Sequence, residues 1–312
     1  MQLLFDVIAP VFLVIGFGYL LTWRGWVDDT LIDAVMKFAQ NVAVPTLLFA
    51  GIARLDLGDA FRAPLLLSFY AGALAGGAFG FIGARYVFKR SLTDAIAVGF
   101  IGLFSNSLLL GIPITERAYG TPALAWNYAI ISIHAPLLYG LGITAMETAK
   151  AKGMGLSPLG LFRQIGRSVF RNPLILGIVL GWTVNITGIQ LPDPVWDAVF
   201  MMNSAAIPAA LFGLGGVLLR YKPEGDMRLI GWAVAASLIV HPIVAYGLGH
   251  FAFNLETGPL RSATLTASMA PGVNAYLFAN MYGTAKRVAA SSVLIGTAAS
   301  IVTTWCWLAI LP

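Results

Sequence analysis

The sequence predicts an all-α membrane protein of about ten transmembrane helices in two inverted five-helix repeats, and three observations carry that prediction. Apolar stretches about 20 residues long recur along the whole chain, the length a helix needs to cross a hydrocarbon core about 30 Å thick. Basic residues gather on alternate connections between those stretches. Polar and helix-breaking residues interrupt the fourth and ninth stretches at matching depths.

Lipid must solvate much of this surface, because 58% of the 312 residues are hydrophobic and only 11% are charged. A soluble domain usually carries about a quarter. The 19 basic and 14 acidic residues leave +5, which in a soluble chain would suggest nucleic acid. Here the charges fall between apolar stretches, where topology accounts for them, so no nucleic-acid partner is expected. Cys306 is the sole cysteine, which leaves neither a disulfide framework nor a CxxC metal site. The chain has no Walker motif, HExxH or membrane-buried acidic pair. It offers no chemistry for an ATP-driven pump or an intramembrane protease, and an enzyme, a cofactor and a bound metal are not expected.

Pro, Gly and charge punctuation divide the apolar runs into ten spans. Span one covers 3 to 21; its start lacks the basic segment and cleavage site of a signal peptide, so a permanent helix is expected. Asp6 there either guards an entrance or reaches outward to water. Span two, 31 to 53, carries Asn41 and Pro45, with Lys37 one turn earlier at headgroup reach. Span three, 63 to 87, holds a dense patch of Gly72, Ala73, Ala75, Gly76, Gly77 and Gly80, suited to close helix contact or to sliding between parts. Span four, 94 to 117, begins at Asp94, whose charge suits a helix N-terminus. Span five, 122 to 148, places His134 near mid-membrane beside Ser132 and Pro136. That histidine is either a titratable coupling group or a satisfied core residue. Span six runs from 173 to 190, and span seven from 195 to 219 with Asn203, Pro208 and the small residues Gly213, Gly215 and Gly216. Span eight, 229 to 252, contains His241 before Pro242. Span nine covers 262 to 283, and span ten, 287 to 311, contains Trp305 and Trp307, whose rings suit an interface.

The connection from 149 to 172 carries Lys150, Lys152, Arg163, Arg167 and Arg171 with no acid, and it separates a first repeat at 1 to 148 from a second at 173 to 312. A cytoplasmic position for it gathers fifteen of the 19 basic residues on one side and leaves both termini outside. Five spans on either side of one loop enter the membrane from opposite faces, so likeness between the halves describes an inverted repeat. Pro10 pairs with Pro173 and Pro45 with Pro208, both 163 residues apart, and Asn41 is matched by Asn203 with one residue inserted.

The interruptions read Ser105-Asn106-Ser107 followed by Gly111-Ile112-Pro113 in span four, and Pro271-Gly272-Val273-Asn274 in span nine. About eleven residues precede each, or about 16 Å at 1.5 Å per residue, which is near mid-membrane. Pro113 and Pro271 are expected to set the breaks, and Ser105, Asn106, Ser107 and Asn274 to supply side-chain contacts. Non-helical backbone at that depth is tolerated only when buried in protein or lining a wet cavity. Each break frees the N-terminal amides of a second half-helix, which hold an anion without a buried Lys or Arg. In the competing reading, two prolines merely kink packed helices. Matched breaks in both halves point instead to a carrier site.

At these residues the chain resembles the auxin efflux carriers and their bacterial relatives, which include proteins described as malonate and malate permeases. The likeness runs from Ile8-Ala9-Pro10-Val11-Phe12 and Phe38-Ala39-Gln40-Asn41-Val42-Ala43-Val44-Pro45 to the interruptions themselves, so it covers nearly the whole chain. It implies a ten-helix fold related to that of bile-acid sodium symporters, with helices four and nine crossing at their prolines and the substrate at the crossing. By the same resemblance helices one, two, six and seven form a scaffold, which leaves room for a homodimer. Helices three to five and eight to ten form a moving transport domain. The candidate binding set is Asn41, Pro45, Ser105, Asn106, Ser107, Gly111, Pro113, Asn203, Pro271, Gly272, Val273 and Asn274, with His134 as coupling candidate. Plant carriers have a much longer central loop; this 24-residue version looks like the bacterial branch and argues against auxin as substrate. The bile-acid fold binds sodium partly through carboxylates, whereas no Asp or Glu lies within several residues of Asn106 or Pro271. The expectation is a secondary transporter of a small mono- or dicarboxylate across an inner membrane by elevator-type alternating access, proton-coupled or uncoupled. A sodium-coupled symporter and a non-transporting ligand sensor are the alternatives.

Overall fold

A computed structural model describes residue 2, residues 4 to 150 and residues 172 to 312. The basic stretch 151 to 171, with Lys152, Arg163, Arg167 and Arg171, lies outside the described residues, and so does the expectation of a basic cytoplasmic loop. Every described element is helical. A helix satisfies its own backbone hydrogen bonds, which lipid cannot do for it.

In chain order the described helices of eight or more residues are α1 (Leu4–Trp23), α2 (Asp29–Ala53), α3 (Ala63–Val87), α4 (Leu92–Leu103), α5 (Ile112–Tyr119), α6 (Thr121–Lys150), α7 (Pro173–Thr187), α8 (Asp193–Leu219), α9 (Met227–Ala252), α10 (Thr257–Ala267), α11 (Val273–Tyr282) and α12 (Lys286–Ile310). A wide turn at Ser107–Gly111 leads into α5. Seven of them, α1, α2, α3, α6, α8, α9 and α12, are long and apolar enough to cross a membrane. α4 and α7 are shorter apolar helices. Several starts are capped by side chains that accept orphan amide protons: Asp28 from Leu31 (2.8 Å), Ser91 from Asp94 (3.1 Å) and Asn172 from Leu174 (3.0 Å).

Among the described residues four prolines, Pro10, Pro45, Pro113 and Pro242, sit just after a turn that is one residue wider than an α-turn. Gly111 N–H bonds back to Asn106, Val44 to Ala39 and His241 to Ala236, each five residues behind; Val44 and His241 immediately precede Pro45 and Pro242, and Gly111 stands two residues before Pro113. A widened turn shifts the bonding register and moves aside the carbonyl that a proline ring would strike. Pro136 and Pro208 stay inside the continuous helices α6 and α8.

Glycines let particular helix pairs approach backbone to backbone. α1 lies on α8, where a Cβ on Gly215 would stand 2.0 Å from the Ile15 carbonyl oxygen and one on Gly18 equally close to that of Phe212. α7 lies on α2, where a Cβ on Gly177 would come within 2.3 Å of the Pro45 carbonyl. α3 packs on both α4 and α9: a Cβ on Gly76 would meet the Gly102 carbonyl at 2.6 Å and the Ala236 carbonyl at 2.8 Å. Asn185 of α7 ties down the end of α2 by donating to the carbonyls of Ile52 (2.9 Å) and Leu55 (2.7 Å). Among the described residues ion pairs lie near helix ends, with Arg220 reaching Asp29 (2.8 Å) and Asp33 (2.7 Å) and Arg90 reaching Asp226 (2.6 Å).

Candidate functional site

Two non-helical segments meet where the helices stop. α4 ends at Leu103 and helical structure resumes at Ser107; α10 ends at Ala267 and α11 begins at Val273. Between those ends the chain is antiparallel to itself, with Ser105 opposite Pro271. Asn106 N–H donates to the Ala270 carbonyl (2.7 Å) and Gly272 N–H donates to the Phe104 carbonyl (2.9 Å). Each segment thereby supplies the partners that the other lost on leaving its helix. Pro271 has no N–H, and the bridge asks for none at that position. Its ring fits because Gly296 of α12 has no side chain; a Cβ there would stand 2.6 Å from the Pro271 Cδ.

One expectation is corrected here: Pro113 does not set the first interruption. The chain is already helical from Ser107, and the bonds to Ala270 and Phe104 hold residues 104 to 106 out of the helix. Asn106 then starts the next helix as its cap, its Oδ1 accepting from Leu109 N–H (3.3 Å).

The side chains around the bridge are arranged as donors. Because a backbone N–H must meet an acceptor, the Leu109 bond fixes the Asn106 oxygen and turns its Nδ2 the other way; that nitrogen is buried and has no partner among the described residues. The Tyr139 hydroxyl donates to the Asn274 backbone carbonyl (3.4 Å) and side-chain oxygen (3.2 Å), which leaves the Asn274 NH₂ free of that contact. The first amides of α11, Val273 and Asn274, have no helical carbonyl behind them. Ser105 and Ser107 pair through their hydroxyls at 2.8 Å. His134 is buried against Phe104 at 4.6 Å between ring centroids, and neither of its ring nitrogens has a hydrogen-bond partner among the described residues.

These groups border a cavity of about 320 Å³. Of the residues singled out from sequence, Asn41, Ser105, Asn106, Ser107, Gly272, Val273, Asn274 and His134 line it. Gly111 and Pro113 are buried behind that wall, and Pro271 sits in the bridge itself. Pro45 faces Gly177, and Asn203 is a half-buried residue of α8 outside the lining. Gln40, Tyr139 and Asn172 join the lining without having been singled out. Asn172 had a readable signal, since Asn before Pro is a helix start. Tyr139 had none. Most of the remaining lining is apolar, including Leu48 of α2, Ile131 and Ile143 of α6, Ile175 and Ile178 of α7, and Leu277 and Met281 of α11. No Asp, Glu, Lys or Arg is among the lining residues. His241 lies deeper, with the Phe69 ring between it (5.0 Å) and His134 (5.6 Å).

The family model described as "Membrane transport protein" matches residues 3 to 308. A Rhizobium meliloti protein named "Putative malonate transporter" is 24% identical over 296 residues, covering 95% of this chain and 92% of that relative. A rice (Oryza sativa subsp. japonica) protein named "Probable auxin efflux carrier component 5b" is 25% identical, covering 94% of this chain and 92% of its own length. A Methanothermobacter thermautotrophicus protein named "Uncharacterized transporter" is 26% identical over 285 residues, covering 85% and 87%.

Proposed function

The chain belongs to the membrane transport protein family, a family of transporters rather than enzymes, and from that membership we propose that it carries a small organic anion across an inner membrane by alternating access. The observation that carries the reading is the bridge between residues 104–106 and 270–272, which brings two helix starts and two asparagines to the lining of one cavity that has no basic side chain among the described lining residues. Helix starts hold a carboxylate by partial charge and directed N–H groups. Neutral donors also release it, whereas a buried Lys or Arg paired with it would be costly to part from. Malonate, which appears in one relative's name, is the first substrate to try.

Taken as interrupted spans, α4 with α5 and α10 with α11 join α7 and the seven long helices to make ten. An inverted repeat is supported by the packing: α1 lies on α8 as α7 lies on α2, the relation expected if spans one and two correspond to six and seven. On this reading α1, α2, α7 and α8 are the scaffold and the remaining helices move, with the cavity between the two groups. His134 is the coupling group, reached by substrate from the cavity. No carboxylate is among the described lining residues, which weakens the case for sodium coupling.

Thermal-shift measurement on the purified protein tests this directly, because a ligand bound only by the folded form at 100 times its Kd adds about 2.7 kcal/mol of stability. Malonate or another carboxylate should raise the melting temperature equally with and without sodium, and labelled ligand should enter proteoliposomes. Stabilisation by no carboxylate, or stabilisation that requires sodium, counts against the reading.

A further inference from the structure

We propose that a second, apolar groove, between α3, α4 and α6, binds one anionic phospholipid, its acyl chain in the groove and its phosphate against Lys89. The groove has a volume of about 520 Å³ and is separate from the cavity at the bridge. Its floor is made by small residues, Gly77 and Ala78 of α3, Gly99 of α4, and Gly142 and Ala145 of α6, which leave a channel where larger side chains would close the helices. Among the described lining residues Thr148 carries the only hydroxyl and none is charged.

The groove has a direction. Its deep end is level with Leu103, since a Cβ on Gly77 would stand 3.2 Å from that side chain. Its other end is bounded by Leu92, Thr148 and Ala149, where α3 finishes, α4 begins and α6 finishes. That end is basic. Arg85, Lys89, Arg90 and Lys150 all belong to it by position, Lys89 and Arg90 in the turn that joins two of the groove's walls.

The acids nearby are already engaged. Asp94 accepts from Ala285 N–H (3.0 Å) and from the Thr284 hydroxyl, Asp226 pairs with Arg90 (2.6 Å), and Glu147 accepts from the Tyr282 hydroxyl (2.9 Å). Lys150 lies over the Tyr282 ring at 4.7 Å. Lys89 is exposed, forms no ion pair among the described residues, and is held at φ 51°, a left-handed conformation that costs a lysine some strain. An apolar channel in a lipid-solvated surface takes an acyl chain, and an unpaired cation at the headgroup end selects a negative lipid.

Native mass spectrometry of the delipidated full chain with dioleoyl phosphatidylglycerol or dioleoyl phosphatidylcholine tests the proposal. One phosphatidylglycerol should be retained per chain, and phosphatidylcholine should be lost first. Ala145→Phe and Ala78→Phe, which fill the groove from opposite walls at exposed positions, should each remove the adduct while melting and elution stay normal. Lys89→Gln should weaken phosphatidylglycerol retention about fivefold and leave phosphatidylcholine unchanged. Equal retention of the two lipids, or an undiminished adduct in both groove-filling variants, would overturn it.

Discussion

Compare the wide turns of α2 and α9 with the paired segments at 104 to 106 and 270 to 272. In the turns a proline follows, yet the chain stays helical and the displaced amides of Val44 and His241 find carbonyls five residues back. In the paired segments the chain leaves the helix altogether, and the amides of Asn106 and Gly272 find carbonyls on the other segment. One arrangement is completed within a helix and the other only between helices. Proline is thus neither necessary nor sufficient for opening a helix here: residues 104 to 106 contain none, and Pro45 and Pro242 open nothing. What opens the helix is a distant partner that satisfies the freed backbone.

The largest effect expected from testing that contrast comes at Asn106. Asn106→Ala removes both the cap of the following helix and the unpartnered Nδ2. Ligand binding should fall about ten- to a hundredfold, the range for a hydrogen bond to a charged group, and stability by about 1 kcal/mol for the lost cap. Calorimetric titration and melting separate the two losses; an unchanged affinity would break the link between the bridge and the site. Tyr139→Phe should cost less, about tenfold in affinity, because Asn274 keeps its place but loses the hydroxyl that orients it. Wild-type binding by that variant would remove Tyr139 from the positioning of the site.

Pro113→Ala sharpens the comparison from the other side. If the bridge rather than the proline holds residues 104 to 106 open, affinity should stay within about twofold of the wild type. A loss as large as that of Asn106→Ala would restore the proline to the role the sequence suggests. The smallest effect lies far from the site. The Leu229 amide, together with Arg90, holds the Asp226 carboxyl below the usual carboxylate range. A lowered folded-state pKa gives stability that is full above the unfolded value and is lost as pH falls through the folded one. The melting-temperature gap between wild type and Asp226→Asn should therefore be present at neutral pH and close in acid; a gap that persists there would assign it to packing.

The residues that border the cavity from span four and span nine were legible because asparagine, serine, proline and glycine clustered inside otherwise apolar runs are costly in lipid and stand out there. Tyr139 was not, since a tyrosine among apolar residues of a long helix gives no local sign that its hydroxyl will meet Asn274. Asn203 shows the converse: it matches Asn41 in the repeat pattern, but only Asn41 reaches the lining. A matched asparagine in the sequence pattern does not bring an equal environment.

Composition and spacing alone determined that this chain is helical and lives in lipid, because burying unsatisfied backbone in hydrocarbon leaves few other solutions and because hydropathy is a local property. They also marked the places along the chain where α4 and α10 stop. Tertiary structure alone decided that residues 104 to 106 and 270 to 272 would satisfy one another, that Pro113 would follow a widened turn instead of a break, and that Tyr139 would meet Asn274. The bridge and the Tyr139 contact join residues 135 or more positions apart, and such contacts have no local signature in a sequence.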